Sequence, residues 1–305
     1  MRRTPWSLVG LLVVAGAVAA FHVGKAPPSV PSLRAELGAS LRQAGWLIST
    51  VSLITAVGGM AIALTAERFG HRRLVLLGTA LGFLASLAGA FAPNVDLLMI
   101  GRVVEGLGFI MVAVAIPTLV VRLAAPADQR IVLTLWSAYM PAGAGSMMLL
   151  CALVLSEASW RIAWLVAAAA SLLVMLALLC RALPRHELDP VPATRRAILG
   201  EMIEVATSGG PLAIAFCFGA YSSCWFAIVG FLPTLQVDRL GFSTGVAFMM
   251  ILEKISGWIE GHEGKKGIPY TLLVGVGVDL FLDGLILALT LHALESAGRL
   301  LSLAL

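Results

Sequence analysis

The chain has 305 residues, of which 59% are hydrophobic and 12% charged, with a mean hydropathy of +0.96. Soluble domains carry about 25% charged residues, so the composition excludes an ordinary soluble enzyme and points to a polytopic membrane protein. The formal net charge of +4 is no nucleic-acid signal, because the basic residues sit in short segments beside apolar runs.

The first apolar run covers residues 6–23, behind Arg2 and Arg3. It resembles a signal peptide but exceeds the h-region length of about 7–15 residues, so it reads as an uncleaved first helix. Residues 25–43 follow as an outer connection, because Pro27, Pro28 and Pro31 stop helices. Residues 44–66 and 74–92 are each long enough to cross about 30 Å of hydrocarbon. Between them lies a basic hairpin, ALTAERFGHRR (63–73), with Gly70 where a sharp bend needs positive φ. Pro93 and Asn94 turn the chain into a span at 95–121, and residues 122–130 return it. Two more spans, 131–155 and 162–180, are joined by SEASWR (156–161). The polar stretch 181–208 leads to a seventh span at 210–232. Lys and Arg number about eleven on one side of this arrangement and about five on the other, which places the N-terminus and the 181–208 linker in the cytoplasm. The four cysteines, Cys151, Cys180, Cys217 and Cys224, fall within apolar runs and read as buried small hydrophobes.

The hairpin, an acid, Arg, any residue, Gly and then a basic cluster, resembles the loop between the second and third helices of the major facilitator superfamily. Ala63 stands where that family has Gly. RVVEGLG (102–108) resembles the fourth-helix motif, YMPAGAG (139–145) the fifth-helix motif, and Ser159-Trp-Arg161 the entry to the sixth helix. The resemblance covers about residues 1–250, and WSAYMPAG (136–143) is similar to the cyanate and nitroimidazole permease branch. It implies an all-α membrane bundle: a six-helix half at 1–183, a cytoplasmic linker at 184–208 and the start of a second half at 209–252. It further implies secondary transport of a small solute across a bacterial inner membrane, with no cofactor and no nucleic-acid partner. A small anion, proton coupling and self-association are the finer expectations.

After residue 252 the pattern breaks. The run from 245 is too short to span a bilayer, and Glu253, Lys254, Glu260, His262, Glu263, Lys265 and Lys266 follow. One further apolar run, 268–294, carries DLFLDG (279–284), which resembles the metal-binding helix of the ZIP family of divalent-metal transporters. Residues 253–305 therefore read as a foreign tail on a truncated facilitator, with Asp279 and Asp283 as candidate metal ligands one turn apart. The rival functions are a non-transporting fragment and divalent-metal transport through this tail. No HExxH, GxSxG or phosphate-loop pattern points to an enzyme.

Arg102 is the leading candidate for substrate or proton handling, since a charge at membrane depth must face a cavity or a partner. Glu105 and Gly106 share its helix face at i+3 and i+4. Glu105 is either a proton carrier or the fixed partner of Arg102. Trp136 and Tyr139 either line a cavity or pack as aromatics, and His22 reads as an interfacial polar residue. Glu67, Arg68, Gly70, Arg72 and Arg73 form a gating latch. Gly106, Gly108, Pro141, Gly143 and Gly145 serve close helix packing. The charge asymmetry predicts that cysteines introduced as Arg3→Cys and Arg195→Cys are labelled only after the membrane is permeabilised. Labelling of either position in intact cells overturns the topology.

Overall fold

The computed structural model describes residues 3–154 and 159–181, together with part of 207–220. Residues 3–181 belong to one compact unit and 207–220 to another. The span at 210–232 is described only in part. The linker, the later 209–252 segment, the 253–305 tail, Asp279 and Asp283, and the side chain of Glu67 lie outside the described residues.

The first unit is all helical: α1 (Trp6–Gly24), α2 (Ala26–Leu37), α3 (Leu41–Phe69), α4 (His71–Ala90), α5 (Val95–Leu123), α6 (Gln129–Ser137), α7 (Tyr139–Val154) and α8 (Arg161–Cys180). By length and composition, Trp6–Leu37, His71–Ala90, Val95–Leu123 and Arg161–Cys180 can each cross a membrane. The 29 residues of α3 rise about 43 Å at 1.5 Å each. The protein is an integral membrane helical bundle.

Two expected boundaries are corrected. The prolines after Val23 do not end the first span, because α1 runs into α2 with Lys25 in helical backbone geometry (φ −73°, ψ −28°). Pro27 and Pro28 sit in the first turn of α2, where their missing N–H groups cost little. The expected loop at 25–43 therefore shrinks to Gly38–Ser40. Gly38 caps α2 at φ 67°, and Ser40 opens α3 through a reciprocal capping box with Gln43. The expected fifth span, 131–155, is two helices joined at Ala138. Pro141 cannot donate to the carbonyl of Ser137 and its ring crowds that group, so the last turn of α6 tightens and Ala138 N–H bonds Leu135 and Trp136 carbonyls.

The central element is α5, which lies against α1, α3, α4 and α6, while α4 also packs on α8 and α1 on α7. Lipid tails are as apolar as leucine, so close van der Waals contact, not water exclusion, holds such helices together. Small residues provide it. A Cβ on Gly78 would sit 2.6 Å from Gly108 O, and one on Gly108 2.6 Å from Gly78 O, so α4 and α5 meet backbone to backbone. Gly143 meets Ala17 O, Gly24 meets Ala144 O, and Gly106 faces Val51 and Ile54. Gly145 has nothing within 4 Å, and Pro141 is exposed; these two make no close packing contact. At one end of the bundle a core of Leu33, Leu47, Leu98, Met147, Trp160 and Trp164 closes the helices. At the other, Gly70 turns α3 into α4 with φ 88°. Thr4 ties the N-terminus to the 124–128 turn, donating to Asp128 and accepting from Ala125 N–H at 2.9 Å. Among the described cysteines, Cys151 is buried as expected, but Cys180 and Cys217 are exposed.

Gly143→Ala drives a methyl into the Ala17 carbonyl and is expected to cost about 1–3 kcal/mol. Gly145→Ala, with open space around it, should be neutral or gain up to about 1 kcal/mol. Thermal unfolding of the two variants in detergent compares them directly; equal melting temperatures would contradict the packing.

Candidate functional site

The helix that continues past Val23 carries Lys25 into the bundle instead of leaving it in a loop. Lys25, Arg102 and Glu105 are all at most 1% exposed. Glu105 bridges the two cations: Oε1 lies 2.5 Å from Lys25 Nζ, and Oε2 accepts from Arg102 Nη1 at 2.6 Å. Arg102 also reaches backbone. Its Nε donates to Leu47 O at 2.9 Å and its Nη1 to His22 O at 2.5 Å, near the join between α1 and α2. Arg102 Nη2 is buried with no hydrogen-bond partner among the described residues.

Lys25 uses its remaining donors on Ser86 Oγ and on His22 Nδ1 at 3.3 Å. Its ammonium also stands over the Trp164 ring, 4.7 Å from the centroid, a favourable cation–π position. Ser86 passes its own proton to Trp164 O at 3.0 Å. His22 Nε2 lies 3.1 Å from Ser171 Oγ. With Lys25 as an ammonium, which only donates, Nδ1 is the acceptor and the ring proton is on Nε2, aimed at Ser171. Gly82 makes this possible, since a Cβ there would lie 2.8 Å from His22 Nε2; Gly89 likewise makes room for Trp164. The cluster thus ties together α1, α3, α4, α5 and α8.

The structure brings Arg102 and Glu105 together as expected neighbours on one face of α5. It corrects the reading of His22, which is 2% exposed and belongs to the cluster, because α1 does not stop at the interface. Sequence reasoning missed Lys25, Ser86, Ser171 and Trp164. A lysine three residues after His22 and two before Pro27-Pro28, a pair that a helix's first turn accepts, was the available signal. Trp136 and Tyr139 form a separate stacked pair, centroids 4.0 Å apart and planes at 12°. A Cβ on Gly16 would strike the Trp136 ring, so this pair packs α6 and α7 onto α1. In the hairpin, Arg68 lies exposed beside the Phe69 ring and Arg73 is exposed, while Arg72 is half-buried with Nε unpartnered among the described residues.

A second polar assembly closes the opposite end from the hairpin. Glu36 of α2 accepts from Trp160 Nε1 at 2.7 Å and from Arg161 Nη2 at 2.8 Å. Arg161 Nη1 also donates to Ala90 O at 2.8 Å and Ala92 O at 3.1 Å. This gives Ser159-Trp-Arg161 its structural meaning as a clamp across three elements.

The family model of the Major Facilitator Superfamily matches residues 12–304. The chain belongs to the major facilitator superfamily. The matched range of this superfamily member runs through residues 253–304, the stretch expected to be foreign. Among curated relatives, the D-xylose transporter of Levilactobacillus brevis is 36% identical over 88 residues, 29% of this chain and 19% of that protein. Puromycin resistance protein pur8 of Streptomyces alboniger is 31% identical over 231 residues, 74% of this chain and 43% of that protein. The chain spans less than half the length of either relative. Among solved structures, a bacterial homologue of the human lysosomal transporter Spinster superposes with a TM-score of 0.61 at 16% identity, covering 80% of this chain and 58% of that one. A double-tryptophan mutant of XylE gives 0.60 at 15% identity, over 81% and 65%. By their names these proteins are transporters and a resistance protein, and the solved ones share the fold of this chain.

With two cations on one carboxylate, Glu105→Gln strands the most charge. It is expected to cost about 3–5 kcal/mol, as for other buried pairs broken on one side. Lys25→Met leaves a neutral Arg102–Glu105 pair and should cost less. Thermal unfolding followed by tryptophan fluorescence ranks them; the reverse order would contradict the bridging role of Glu105.

Proposed function

We propose that this chain is the N-terminal part of a secondary transporter that moves a small organic solute across a bacterial cytoplasmic membrane by alternating access. Its N-terminus faces the cytoplasm, and proton movement through the buried cluster is the coupling step. The observation that carries the reading is the Lys25–Glu105–Arg102 assembly. A charge within the hydrocarbon is costly, at the bilayer centre by at least about 2.5–3.5 kcal/mol, yet this bundle buries three together, at the α1–α2 join and on α5. The relatives act, by their names, on D-xylose or confer resistance to puromycin, which favours a small organic solute. A small anion is the second reading, favoured by the single excess positive charge of the cluster and by the unpartnered Arg102 Nη2. Because the chain spans less than half of its curated relatives, complete transport rests on a second bundle, supplied by further sequence or by self-association.

The test is accumulation of D-xylose and puromycin in vesicles by a full-length transporter carrying this half, at several external pH values. Arg102→Lys keeps the charge but loses the planar fork that reaches Glu105 and two carbonyls at once, so accumulation should fall at least about tenfold at unchanged abundance. Parent-level accumulation by both Arg102→Lys and Arg102→Ala would make Arg102 structural and overturn the site.

A further inference from the structure

The three formal charges of the cluster sum to +1, and the whole of it is buried among helices. Arg102 cannot lose its proton under any condition a membrane protein meets. Glu105 has one oxygen on each cation, so protonating it leaves two buried positive charges and nothing to oppose them. Loss of a proton from Lys25 leaves one cation and one anion in direct contact. Of the ways to make the cluster neutral from its own residues, this alone needs no second change.

Resting on the transport reading above, we propose that Lys25 is the residue that takes up and releases the coupling proton, with His22 and Ser171 as its relay. Arg102 and Glu105 are then a fixed pair that positions it. The arrangement seen offers an acceptor to each of the three ammonium protons of Lys25, namely Glu105 Oε1, Ser86 Oγ and His22 Nδ1, and so accommodates the protonated state from which release starts. For release, one Nζ–H bond breaks and an Nδ1–H bond forms on His22. The Nε2 proton of His22 passes to Ser171 Oγ while the hydroxyl proton of Ser171 leaves to water admitted as the bundle opens. Lys25 ends neutral, Ser171 ends unchanged, and one hydronium is produced. His22 ends as the other neutral tautomer, its new Nδ1–H facing the lone pair of Lys25 and, 3.6 Å away, Glu105 Oε1. The titratable and charged groups facing Lys25 are His22 from α1, Arg102 and Glu105 from α5, and the Cys151 thiol from α7; Ser86 of α4 and the Trp164 ring of α8 complete its surroundings.

The experiment is magnetic resonance of the full chain in lipid nanodiscs, with lysine labelled at the ε-carbon and histidine labelled at the ring nitrogens. The lysines are Lys25, Lys254, Lys265 and Lys266, so Lys25→Met identifies the signal. The expected result is one titration step of the Lys25 signal between about pH 5 and pH 9, below the range of an exposed lysine because burial disfavours the charged form. Across that step His22 should exchange its Nε2–H tautomer for Nδ1–H. Removing the counter-charge with Glu105→Gln should move the Lys25 step at least about one pH unit toward acid; Glu105→Asp, which retains the charge, should keep it, and serves if Glu105→Gln does not fold. A Lys25 signal that stays constant over the range overturns the proposal. So does a shift seen only when sodium acetate is added, which would assign the excess charge to a bound anion. None of these readouts needs transport, so a titrating Lys25 in a chain whose full-length version accumulates neither probe would sink the transport reading and leave the proton site standing.

Discussion

The organising constraint is a carboxylate with no water around it. Glu105 sits on the central helix of the bundle, and its two oxygens must each find a cation or the helix cannot be buried there. One cation comes from its own helix a turn away, so that pair forms wherever α5 forms. The other comes from Lys25 where α1 meets α2, eighty positions earlier in the chain, and only a specific packing of α1 against α5 delivers it. The rest of the first unit is arranged to permit that packing.

Backbone departures from regular helix do much of the permitting. The prolines at the start of α2 keep the chain helical in direction, so that the His22 carbonyl, one turn before Ala26, stays inside the bundle and accepts from Arg102. Glycines then allow the approach. Gly78 and Gly108 bring α4 onto α5, Gly82 accommodates the His22 ring, and Gly89 the Trp164 ring that stands beneath Lys25. In a membrane these contacts matter more than their number implies, because helices surrounded by lipid gain little from burying apolar surface against each other. The α6–α7 break at Ala138 has a different use, since it sets Trp136 and Tyr139 against Gly16.

The two polar assemblies differ in character. Glu36, Trp160 and Arg161 lie at the end of the bundle, where Arg161 is 31% and Glu36 44% exposed at the side chain. Solvent screens such a pair, and its value lies in geometry, joining α2, the 90–92 turn and the start of α8. The inner cluster is unscreened, so any change in its charge is felt by five helices at once. The two meet through tryptophans, since Trp164 beside Lys25 packs edge-on against Trp160 of the clamp, centroids 5.2 Å apart.

The sequence by itself determined the helical class, the apolar segments and the family, because these rest on local features: hydropathy over about twenty residues, glycine at a positive-φ turn, and a motif within one helix. It also placed Arg102 and Glu105 on one face, since a spacing of three is fixed by helix geometry. It misjudged the prolines after Val23: Pro27 and Pro28 fall in a first turn, where their missing N–H groups cost little, and α2 carries Pro31 in its interior. That one boundary decided whether Lys25 was a loop residue or a core one, and with it the reading of His22. Which cation shares Glu105, which hydroxyls receive the lysine and histidine, and why Gly82 and Gly89 lack side chains were decided only by tertiary structure. Such pairings join residues sixty to a hundred and fifty positions apart, and nothing in the local pattern of a helix records which neighbour its buried face will meet.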